Sequence, residues 1–510
     1  MDTVARSTRA AEILGSLPVR GEVMPMFFGG SWRCARSGAT RELTDPANGE
    51  LIAQVTQASA DEAREAIASA RKAFDEGPWP QMTAAERAAF LLRAADAIDA
   101  ARAEFTRIET LNNGKPLRES ESDAIEAANC FRYYAGLATK PHGQTFDVPA
   151  PSQSFTVREP IGVCALVVPW NYPLLSAAWK LAPALAAGNV CLLKPAEITP
   201  LTALRLAAVF ERLEFPPGVV GVITGKGSEI GQILAESDLV DKIAFTGSTP
   251  VGRGIMQAAS GNLKKIALEL GGKSPIVVFD DADFDVAVDH ALYGIFCNTG
   301  QVCSAGSRLL LQRSLRDRFV DRLVERARKI RIGDGFDDRT EMGPLTSRGQ
   351  LETVEKYVAI GKAEGARLRC GGERLGGALA GGNFYQPTIF DRTRPSMRVV
   401  QEEIFGPVLV VQTFDDENDA VRLANDNVYG LAAAVFTSDV AKAHRVIRKI
   451  RAGITWINTY HWAYNEAPWG GYKQSGIGRE LGTYGYDAFT EVKVVNVSLD
   501  VLPSGWFSDR

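Results

Sequence analysis

Short, uninterrupted apolar segments alternate with helical segments through most of the chain, and this alternation restricts the fold more than any other feature. The first set of apolar segments covers residues 161–168, 190–193, 219–223 and 242–245, and a turn and a helical pattern follow each one. A strand that is apolar at every position is buried on both faces, as in a parallel sheet covered by helices. The sequence therefore predicts a doubly wound α/β fold.

A second set of apolar segments predicts a second sheet of the same kind. Its strands are expected at 275–279, 308–312, 408–413, 431–436 and 454–457, with helices between them. Before the first set, amphipathic spacing predicts helices at 61–75, 83–111 and 119–138. The segments 144–160 and 487–500 are rich in β-forming residues, and we expect a hairpin and an edge strand there.

Composition excludes several classes of protein. The net charge of -4 and the lack of a basic stripe argue against nucleic-acid binding. No apolar run is long enough to cross a membrane, because prolines interrupt the most apolar one. The 7 cysteines are odd in number and form no CxxC pair, so we expect reduced thiols in a cytoplasmic protein. With 4 histidines and no HExxH motif, the sequence predicts no metal site.

Cys303 is a candidate nucleophile. It lies in GQVCSAGSR, in a loop between a predicted helix and a predicted strand. A cysteine thiolate is a strong nucleophile when it is accessible, but a single loop cysteine is more often structural. Both readings stay open on this motif alone.

Two further residues could act with a cysteine nucleophile. Glu269 lies in the apolar run LELGG, where burial raises a carboxyl pKa and suits it to general base catalysis; the alternative is a buried pair with Lys273 or Lys180. Asn171 follows the strand 161–168, where its amide could stabilise an oxyanion or could simply form an Asx turn.

A nucleotide site is indicated at the ends of two strands. Lys194 and Glu197 follow the strand 190–193 and could bind a ribose, or form a surface ion pair. A carboxylate there would repel a 2′-phosphate and favour NAD over NADP. The glycines of GKGSEIG do not match GxGxxG, but FTGS lies between a strand and a helix and could place a phosphate at the helix N-terminus.

Together these motifs resemble the aldehyde dehydrogenase family along nearly the whole chain. The matching segments are PWNYPL, KPAE, FTGS, LELGGKSP, GQVCSA, EEIFGP and PWGGYKQSGIGRELG. The resemblance implies two doubly wound domains and a small β arm for oligomerisation. We expect an NAD-binding domain at 1–142 and 161–270, to which 468–486 returns, a catalytic domain at 271–467, and an arm formed by 143–160 and 487–510.

The resemblance also implies roles for individual residues. Cys303 would be the nucleophile, Glu269 the base that hydrolyses a thioester, and Asn171 the oxyanion donor. Glu480 would relay protons or assist the base. The residues expected to bind NAD, with NADP disfavoured, are Trp170, Lys194, Glu197, Gly227, Gly247, Ser248, Glu403 and Phe405.

The substrate pocket resembles that of betaine aldehyde and aminoaldehyde dehydrogenases. Tyr172, Trp179 and Trp469 match their aromatic positions, and aromatic faces attract quaternary ammonium groups. The sequence departs from the plant pattern at Cys297, where a fourth aromatic residue would stand. Three residues of an aromatic-rich loop could compensate for the missing ring: Trp462, Tyr464 and Glu466. The bulky Ile454 could instead hinder a trimethylammonium group.

We therefore expect NAD-dependent oxidation of betaine aldehyde to glycine betaine through a cysteine thioester. The alternatives are an ω-aminoaldehyde such as 4-aminobutyraldehyde, or a broad range of aldehydes without preference for a cation. A catalytically inactive structural member of the family is a third possibility, and the intact set of Cys303, Glu269 and Asn171 argues against it. We also expect a homodimer or homotetramer, because the predicted edge strands need a partner.

Overall fold

The computed structural model describes residues 7–507, so residues 1–6 of the predicted first domain and 508–510 of the predicted arm lie outside it. Its largest sheet has eight strands, and the five in its middle are parallel. The strands are, in spatial order, Gly476–Ile477, Lys265–Glu269, Lys242–Thr246, Val163–Val167, Val190–Lys194, Val220–Val222, Met26–Phe28 and Ser31–Arg33.

A second sheet has seven strands, of which all but the first are parallel to their neighbours. In spatial order they are Arg367–Cys370, Thr388–Asp391, Val408–Phe414, Arg308–Gln312, Pro275–Val278, Ala432–Phe436 and Ile454–Ile457. The doubly wound α/β fold predicted from the two sets of apolar segments is confirmed by these two sheets.

Helices cover the sheets, and their apolar sides form the buried core between helix and strand. The α-helices are Thr8–Ile13, Ala60–Asp75, Ala84–Ala100, Arg102–Asn113, Leu117–Leu137, Pro173–Ala186, Leu201–Arg212, Gln232–Glu236, Thr249–Ala259, Phe284–Phe296, Arg316–Ala327, Arg348–Ala363, Arg398–Gln401, Glu417–Asn425, Val440–Ile447 and Gly482–Asp487. Within residues 7–507, no helix is both long enough and apolar enough to cross a lipid bilayer.

Three small sheets complete the fold. The hairpin predicted at 144–160 is present, and its long strand pairs with the predicted terminal strand along nine residue pairs. The members of this arm are Thr145–Phe146, Ser152–Pro160 and Thr490–Ser498. The other two sheets are Val23–Met24 with Leu51–Thr56 and Thr40–Thr44, and Tyr429–Gly430 with Tyr472–Lys473.

The structure differs from the sequence prediction in several places, including the strands between residues 23 and 56, which the sequence patterns did not indicate. The single helix predicted at 83–111 is broken at Ala101, whose backbone leaves the helical region. Alanine is the strongest helix former, so nothing local indicates this break and tertiary packing decides it. The strands Arg367–Cys370 and Thr388–Asp391 were also missed, because they are short and carry charged residues at their ends.

The two large sheets meet at the segment that follows Glu269. Leu270 donates its N–H to Ser475 O at 2.9 Å, and the chain then enters the second sheet at Pro275. The strand Gly476–Ile477 pairs antiparallel with Lys265–Glu269, which brings the late segment 468–486 against the first sheet. This pairing favours the predicted division into domains, whose boundaries remain a prediction.

Candidate active site

One cleft of about 1640 Å³ gathers most of the residues singled out in the sequence. Its volume suits a dinucleotide together with a small substrate, since pockets for single small molecules are about 300–1,000 Å³. The predicted site residues that line it are Trp170, Asn171, Tyr172, Trp179, Gly247, Ser248, Glu269, Cys303, Glu403, Phe405, Trp462, Glu466, Trp469 and Glu480. Lys194, Glu197 and Gly227 form a separate group, described below.

A strained turn delivers Cys303 to the cleft. Asn298, Thr299 and Gly300 all have left-handed backbone conformations, with φ of 44°, 56° and 74°. For the two residues that are not glycine, this costs on the order of 1–3 kcal/mol each, so surrounding contacts must hold the turn. The Asn298 N–H donates to Glu119 Oε2 at 2.9 Å, and Thr299 Oγ1 donates to a backbone carbonyl at 2.9 Å.

Cys303 is half-buried and free, and it lines the cleft. Burial, together with the nearby carboxylates of Glu269 and Glu403, raises the pKa of its thiol to about 12. The group is therefore a thiol at neutral pH in this conformation, and a base or a nearby positive charge must assist its ionisation.

Asn171 is held both through its side-chain amide and through its backbone carbonyl. Its Nδ2 donates to Gln301 O at 2.8 Å, and its own backbone oxygen accepts a hydrogen bond from Asn298 Nδ2 at 3.1 Å. The local Asx turn considered from the sequence would need a backbone N–H two residues further on, and Pro173 has none, so that alternative is wrong. A side-chain amide carries two N–H groups, so the second is left for a ligand in the cleft.

Glu269 is buried at the end of its strand, and Oε2 has no hydrogen-bond partner among the described residues. Burial, followed by repulsion from Glu480, raises the pKa of its carboxyl well above the usual range. Lys180 and Arg479 oppose this rise but do not outweigh it. The alternative of an ion pair with Lys273 or Lys180 is thus wrong.

Lys180 instead pairs with Glu480. Lys180 is buried, its Nζ donates to Glu480 Oε1, and it also donates to Thr246 Oγ1 at 2.7 Å. Two backbone hydrogen bonds of 2.7 and 2.8 Å between Trp469 and Glu480 hold the carboxylate in place. The result is a buried chain of polar groups behind Glu269.

Lys194, Glu197 and Gly227 form a small polar cluster. Glu197 Oε1 accepts the Gly227 N–H at 2.7 Å. A Cβ on Gly227 would lie 3.6 Å from Glu197 Oε1 and 3.9 Å from Lys194 Nζ, so both charged groups surround this glycine. Burial lowers the pKa of Lys194 to about 8, and its Nζ donates to Pro195 O at 3.1 Å. Lys194 and Glu197 are therefore not a simple surface ion pair.

The segment Gly247–Ser248 lies between the strand Lys242–Thr246 and the helix Thr249–Ala259. Ser248 is the N-cap residue of this helix and is exposed, yet its side chain makes no capping hydrogen bond. The first N–H groups of a helix attract anions, so this end suits a phosphate.

On the opposite wall, Glu403 and Phe405 face the strand end. Glu403 Oε1 accepts the Gly272 N–H at 2.8 Å, and burial raises the pKa of its carboxyl to about 7. The ring of Phe405 packs against Trp170, with centroids 5.2 Å apart and planes at 80°. Phe405 has a positive φ of 59°, which is a second point of backbone strain in the cleft wall.

Aromatic rings form the deeper wall. Trp179 and Trp469 pack edge to face, with centroids 5.4 Å apart. Tyr172 is half-buried, and the buried ammonium of Lys115 lies 4.2 Å from its ring centroid. Trp462 is 59% exposed and Glu466 is also exposed, so both lie near solvent.

Cys297 takes the place where a fourth aromatic residue was expected. Its Sγ donates to Glu119 Oε2 at 3.7 Å, and burial raises the pKa of this carboxyl to about 7. Cys297 and Glu119 both line the cleft, so the Glu119 carboxylate lies at the part of the wall where the fourth aromatic ring was expected. Ile454 is buried in its strand and does not line the cleft, against the steric effect expected for it.

The sequence motifs missed several residues that the structure brings to the site. Glu119 is in the first turn of the helix Leu117–Leu137, and Arg41 pairs with Glu197 from a different sheet. Both are ordinary charged residues in ordinary patterns, so no local signal could have identified them. Within residues 7–507, no group of three His, Cys, Asp or Glu side chains could hold a metal ion.

The sequence model of the aldehyde dehydrogenase family matches residues 32–495. Betaine aldehyde dehydrogenase of Bacillus subtilis (strain 168) is 49% identical over 485 residues, which is 95% of this chain and 99% of that protein. Human mitochondrial aldehyde dehydrogenase is 46% identical over 477 residues, covering 93% of this chain and 92% of that protein.

A solved structure agrees with these matches. The crystal structure of betaine aldehyde dehydrogenase from Staphylococcus aureus in complex with NAD+ superposes with a TM-score of 0.96 at 44% identity. The superposition covers 99% of both chains. The fold described above is therefore shared with that protein along nearly all of the two chains.

Proposed function

We propose that this chain, which belongs to the aldehyde dehydrogenase family, oxidises betaine aldehyde to glycine betaine with NAD+. One observation carries the proposal. The accessible Cys303 thiol, the buried carboxylate of Glu269 and the fixed amide of Asn171 line the same cleft. A nucleophile, a base and an oxyanion donor are what thioester chemistry needs.

The first chemical step is attack of Cys303 Sγ on the aldehyde carbon. Among charged groups, Glu269 has the largest effect on the pKa of this thiol, and it accepts the thiol proton. The carbonyl oxygen becomes an oxyanion as the carbon–sulfur bond forms. The free N–H of Asn171 and the Cys303 N–H stabilise this charge, and removing one such donor typically costs about 10²–10³ in kcat.

Hydrolysis of the resulting thioester needs a second base-catalysed step. When bound, NAD+ would accept the hydride that leaves the carbon of the cysteine thiohemiacetal, and loss of that hydride gives the thioester. Glu269 must first release the thiol proton to solvent; its carboxylate then accepts a proton from the water that attacks the thioester carbon, and Cys303 leaves as a thiolate while the carboxylate product forms. The unpartnered Glu269 Oε2 is suited to this water, since no protein group competes for it.

The ion pair of Lys180 and Glu480 controls the pKa of Glu269. Glu480 raises the pKa of Glu269 and Lys180 lowers it, so the pair sets how readily Glu269 accepts and releases a proton. Among charged groups, Glu480 has the largest effect on the pKa of Glu269, and it accepts a hydrogen bond from Lys180, which also donates to Thr246 Oγ1. We assign Glu480 the relay role on this basis.

The residues present fit NAD+. Lys194 and Glu197 surround the bare backbone of Gly227 and would hold the adenosine ribose, because a Cβ there would narrow the space between them. Gly247 and Ser248 at the uncapped helix end would hold the pyrophosphate. Trp170, Glu403 and Phe405 would enclose the nicotinamide ribose and ring.

A cationic aldehyde suits the deep wall of the cleft. The faces of Trp179 and Trp469 attract a quaternary ammonium group, each by about 0.5–2 kcal/mol, and Tyr172 adds the ring face that Lys115 does not occupy. Glu119 adds a carboxylate where Cys297 replaces an aromatic ring, and Glu466 and Trp462 lie toward the entrance. The same carboxylates favour an ω-aminoaldehyde as the second candidate, since a primary ammonium prefers a carboxylate to an aromatic wall.

The test compares betaine aldehyde with its neutral isostere, 3,3-dimethylbutanal, and with 4-aminobutyraldehyde. Steady-state kinetics with NAD+ should give a kcat/KM for betaine aldehyde about tenfold or more above that of the isostere. Equal values would favour a broad-specificity aldehyde dehydrogenase. No NADH formation with any aldehyde, alongside the Cys303→Ala variant as the blank, would favour an inactive structural member.

We also propose that the chain associates with itself through the β arm and that it is located in the cytoplasm. Its terminal strand is an edge of the three-stranded sheet and exposes Val492 and Val494 by 57% and 55%. An apolar edge of this length needs a cover, which a second copy would supply in a homodimer or homotetramer. All seven cysteines are free, as suits a reducing compartment. Sedimentation as a monomer at micromolar concentration would contradict the oligomer.

A further inference from the structure

Two buried asparagines hold the backbone that carries the side chain of Asn171. Asn113 Nδ2 donates to the carbonyl of Trp170 at 2.8 Å, and Asn298 Nδ2 donates to the carbonyl of Asn171 at 3.1 Å. Both asparagines are buried, and neither lines the cleft. Two consecutive peptide carbonyls are thus fixed by side chains from two different elements, the end of the helix Arg102–Asn113 and the nucleophile turn.

Donation of N–H is the polar role that the structure gives to these two side chains. Asn113 Oδ1 and Asn298 Oδ1 are buried and have no hydrogen-bond partner within residues 7–507. A buried polar atom without a partner costs about 1–3 kcal/mol. The reverse orientation of either amide would place its oxygen against a carbonyl oxygen, and two acceptors repel each other. Each amide is therefore kept for its N–H groups, although an apolar side chain would avoid the cost of the unpaired oxygen.

Asn298 contacts both the backbone of Asn171 and the acceptor of its side chain. Besides the carbonyl of Asn171, its Nδ2 reaches Gln301 O at 3.4 Å, and this oxygen also accepts Asn171 Nδ2 at 2.8 Å. The φ of 44° at Asn298 lies in the left-handed region, which asparagine tolerates better than most residues. One side chain on a strained backbone thus connects the oxyanion donor to the nucleophile turn.

The contacts of the two asparagines close into a ring of hydrogen bonds. Gln301 Nε2 donates to Asn298 O at 3.1 Å, and Gln301 Oε1 accepts the Thr346 N–H at 2.9 Å. Thr346 Oγ1 accepts a hydrogen bond from Asn113 Nδ2 at 3.3 Å. Because every member contacts two others, the ring resists displacement of the oxyanion donor relative to the nucleophile turn more than a single contact would.

We propose that Asn298 and Asn113 are positioning residues for the oxyanion donor. They hold the peptide of Asn171 so that its second amide N–H and the Cys303 N–H converge on the carbonyl oxygen of the substrate. This inference rests on the proposed function, because it assumes that Cys303 forms an oxyanion at a carbonyl carbon. Such donors act only when they are fixed in advance, and a misplacement of about 1 Å can cost about 10²-fold in rate.

A double-mutant cycle with Asn171 tests the assignment. Asn113→Ala suits a helical position and Asn298→Gly suits the left-handed turn, and each removes one amide. Each single variant should lower kcat for betaine aldehyde about tenfold and leave KM within about twofold. In the Asn171→Ala background, either substitution should lower kcat by less than about twofold, because the donor that it positions is already absent.

Two reagents separate positioning of the donor from damage to the nucleophile. 4-Nitrophenyl acetate acylates Cys303 without NAD+: the carbonyl oxygen becomes an oxyanion as the carbon–sulfur bond forms, and 4-nitrophenolate then leaves. Iodoacetamide alkylates the same sulfur with loss of iodide, and no oxyanion forms. Asn113→Ala and Asn298→Gly should slow acylation about tenfold and leave alkylation at the wild-type rate.

Asn189→Ala provides the matched control. Asn189 is also buried, and its Nδ2 donates to two backbone carbonyls at 3.0 and 2.9 Å, but it lies outside the ring. This variant should lower the Tm and leave kcat and both reagent rates unchanged at a temperature where it is folded. Asn113 lies outside the nucleophile turn, so Asn113→Ala decides the question if Asn298→Gly disturbs Cys303.

Three results would overturn the inference: losses that add in the cycle, equal slowing of acylation and alkylation by Asn113→Ala, or wild-type rates in both single variants. Failure of the proposed function is distinguishable from these. A chain that oxidises no aldehyde, but gives a non-additive cycle with 4-nitrophenyl acetate, would reject aldehyde oxidation and retain the positioning role. A chain whose Cys303 reacts with neither the ester nor an aldehyde would reject the nucleophile and this inference with it.

Discussion

Lys180 and Glu480, 300 residues apart in the sequence, form a buried ion pair behind the carboxylate of Glu269. The two members act on Glu269 with opposite sign, since Glu480 raises its pKa and Lys180 lowers it. The most informative variants therefore remove one member of the pair at a time.

Glu480→Gln should shift the acid limb of the kcat–pH profile to lower pH. Loss of the Glu480 charge removes a repulsion and leaves Lys180 to stabilise the Glu269 carboxylate, so the pKa of Glu269 falls and the base stays ionised at lower pH. Lys180→Met should move the same limb to higher pH. The prediction fails if both variants shift the limb in the same direction.

Asn171→Ala should lower kcat about 10²–10³-fold, because one oxyanion donor is lost while the thiol is untouched. Single-turnover measurements of the NADH burst locate the defect in the step that forms and oxidises the thiohemiacetal. Alkylation of Cys303 by iodoacetamide should proceed at the wild-type rate. A tenfold slower alkylation would mean that the variant has disturbed the nucleophile turn instead.

Cys303 should be slow to react in the enzyme without cofactor. Burial and two carboxylates raise its pKa to about 12, so the thiolate fraction at pH 7 is small and grows about tenfold per pH unit. Inactivation by iodoacetamide, followed between pH 6 and 10, should accelerate across the whole range. Cys297→Ser should leave this profile unchanged. A plateau near pH 7 would show that the thiol is already ionised there.

Gly470→Ala should impair thioester hydrolysis. A Cβ at this position would lie 2.7 Å from Glu269 Oε1, and the φ of 152° is unfavourable for alanine. We expect steady-state NADH formation at least about tenfold slower than in the wild type, because the displaced base no longer activates water. Gly136→Ala, a helical position with open space around it, provides the matched control and should retain activity. A linear time course at the wild-type rate would contradict the role of Glu269.

The selectivity for a cationic aldehyde should depend on pH through Glu119. Burial raises its pKa to about 7, so the carboxylate becomes neutral as pH falls below that value. The KM for betaine aldehyde should rise between pH 8 and 6, while the KM for 3,3-dimethylbutanal stays constant. Glu119→Gln, which keeps an acceptor for the Asn298 N–H, should remove the difference. Parallel pH profiles for the two substrates in the wild type would rule out this role.

Some of the molecule is determined by the sequence itself. Runs that are apolar at every position, such as 161–168, are typical of the inner strands of a parallel sheet, and these runs predicted the doubly wound sheets. The capping box of Thr83 and Glu86 likewise determined where one helix begins, because both partners lie within one turn. The motifs LELGGKSP and GQVCSA indicated Glu269 and Cys303, because all the residues of each motif are neighbours in the sequence.

Other features were decided by the tertiary structure alone. The ion pair of Lys180 with Glu480, the contact of Arg41 with Glu197 and the hydrogen bond from Asn298 to Glu119 join residues far apart in the chain. A charged side chain carries no local sign of the partner it will meet, since burial and pairing depend on which elements fold against each other. The sequence therefore identified Cys303, Glu269 and Asn171 as candidates for the reaction. Which charged side chains surround them depends on the tertiary structure.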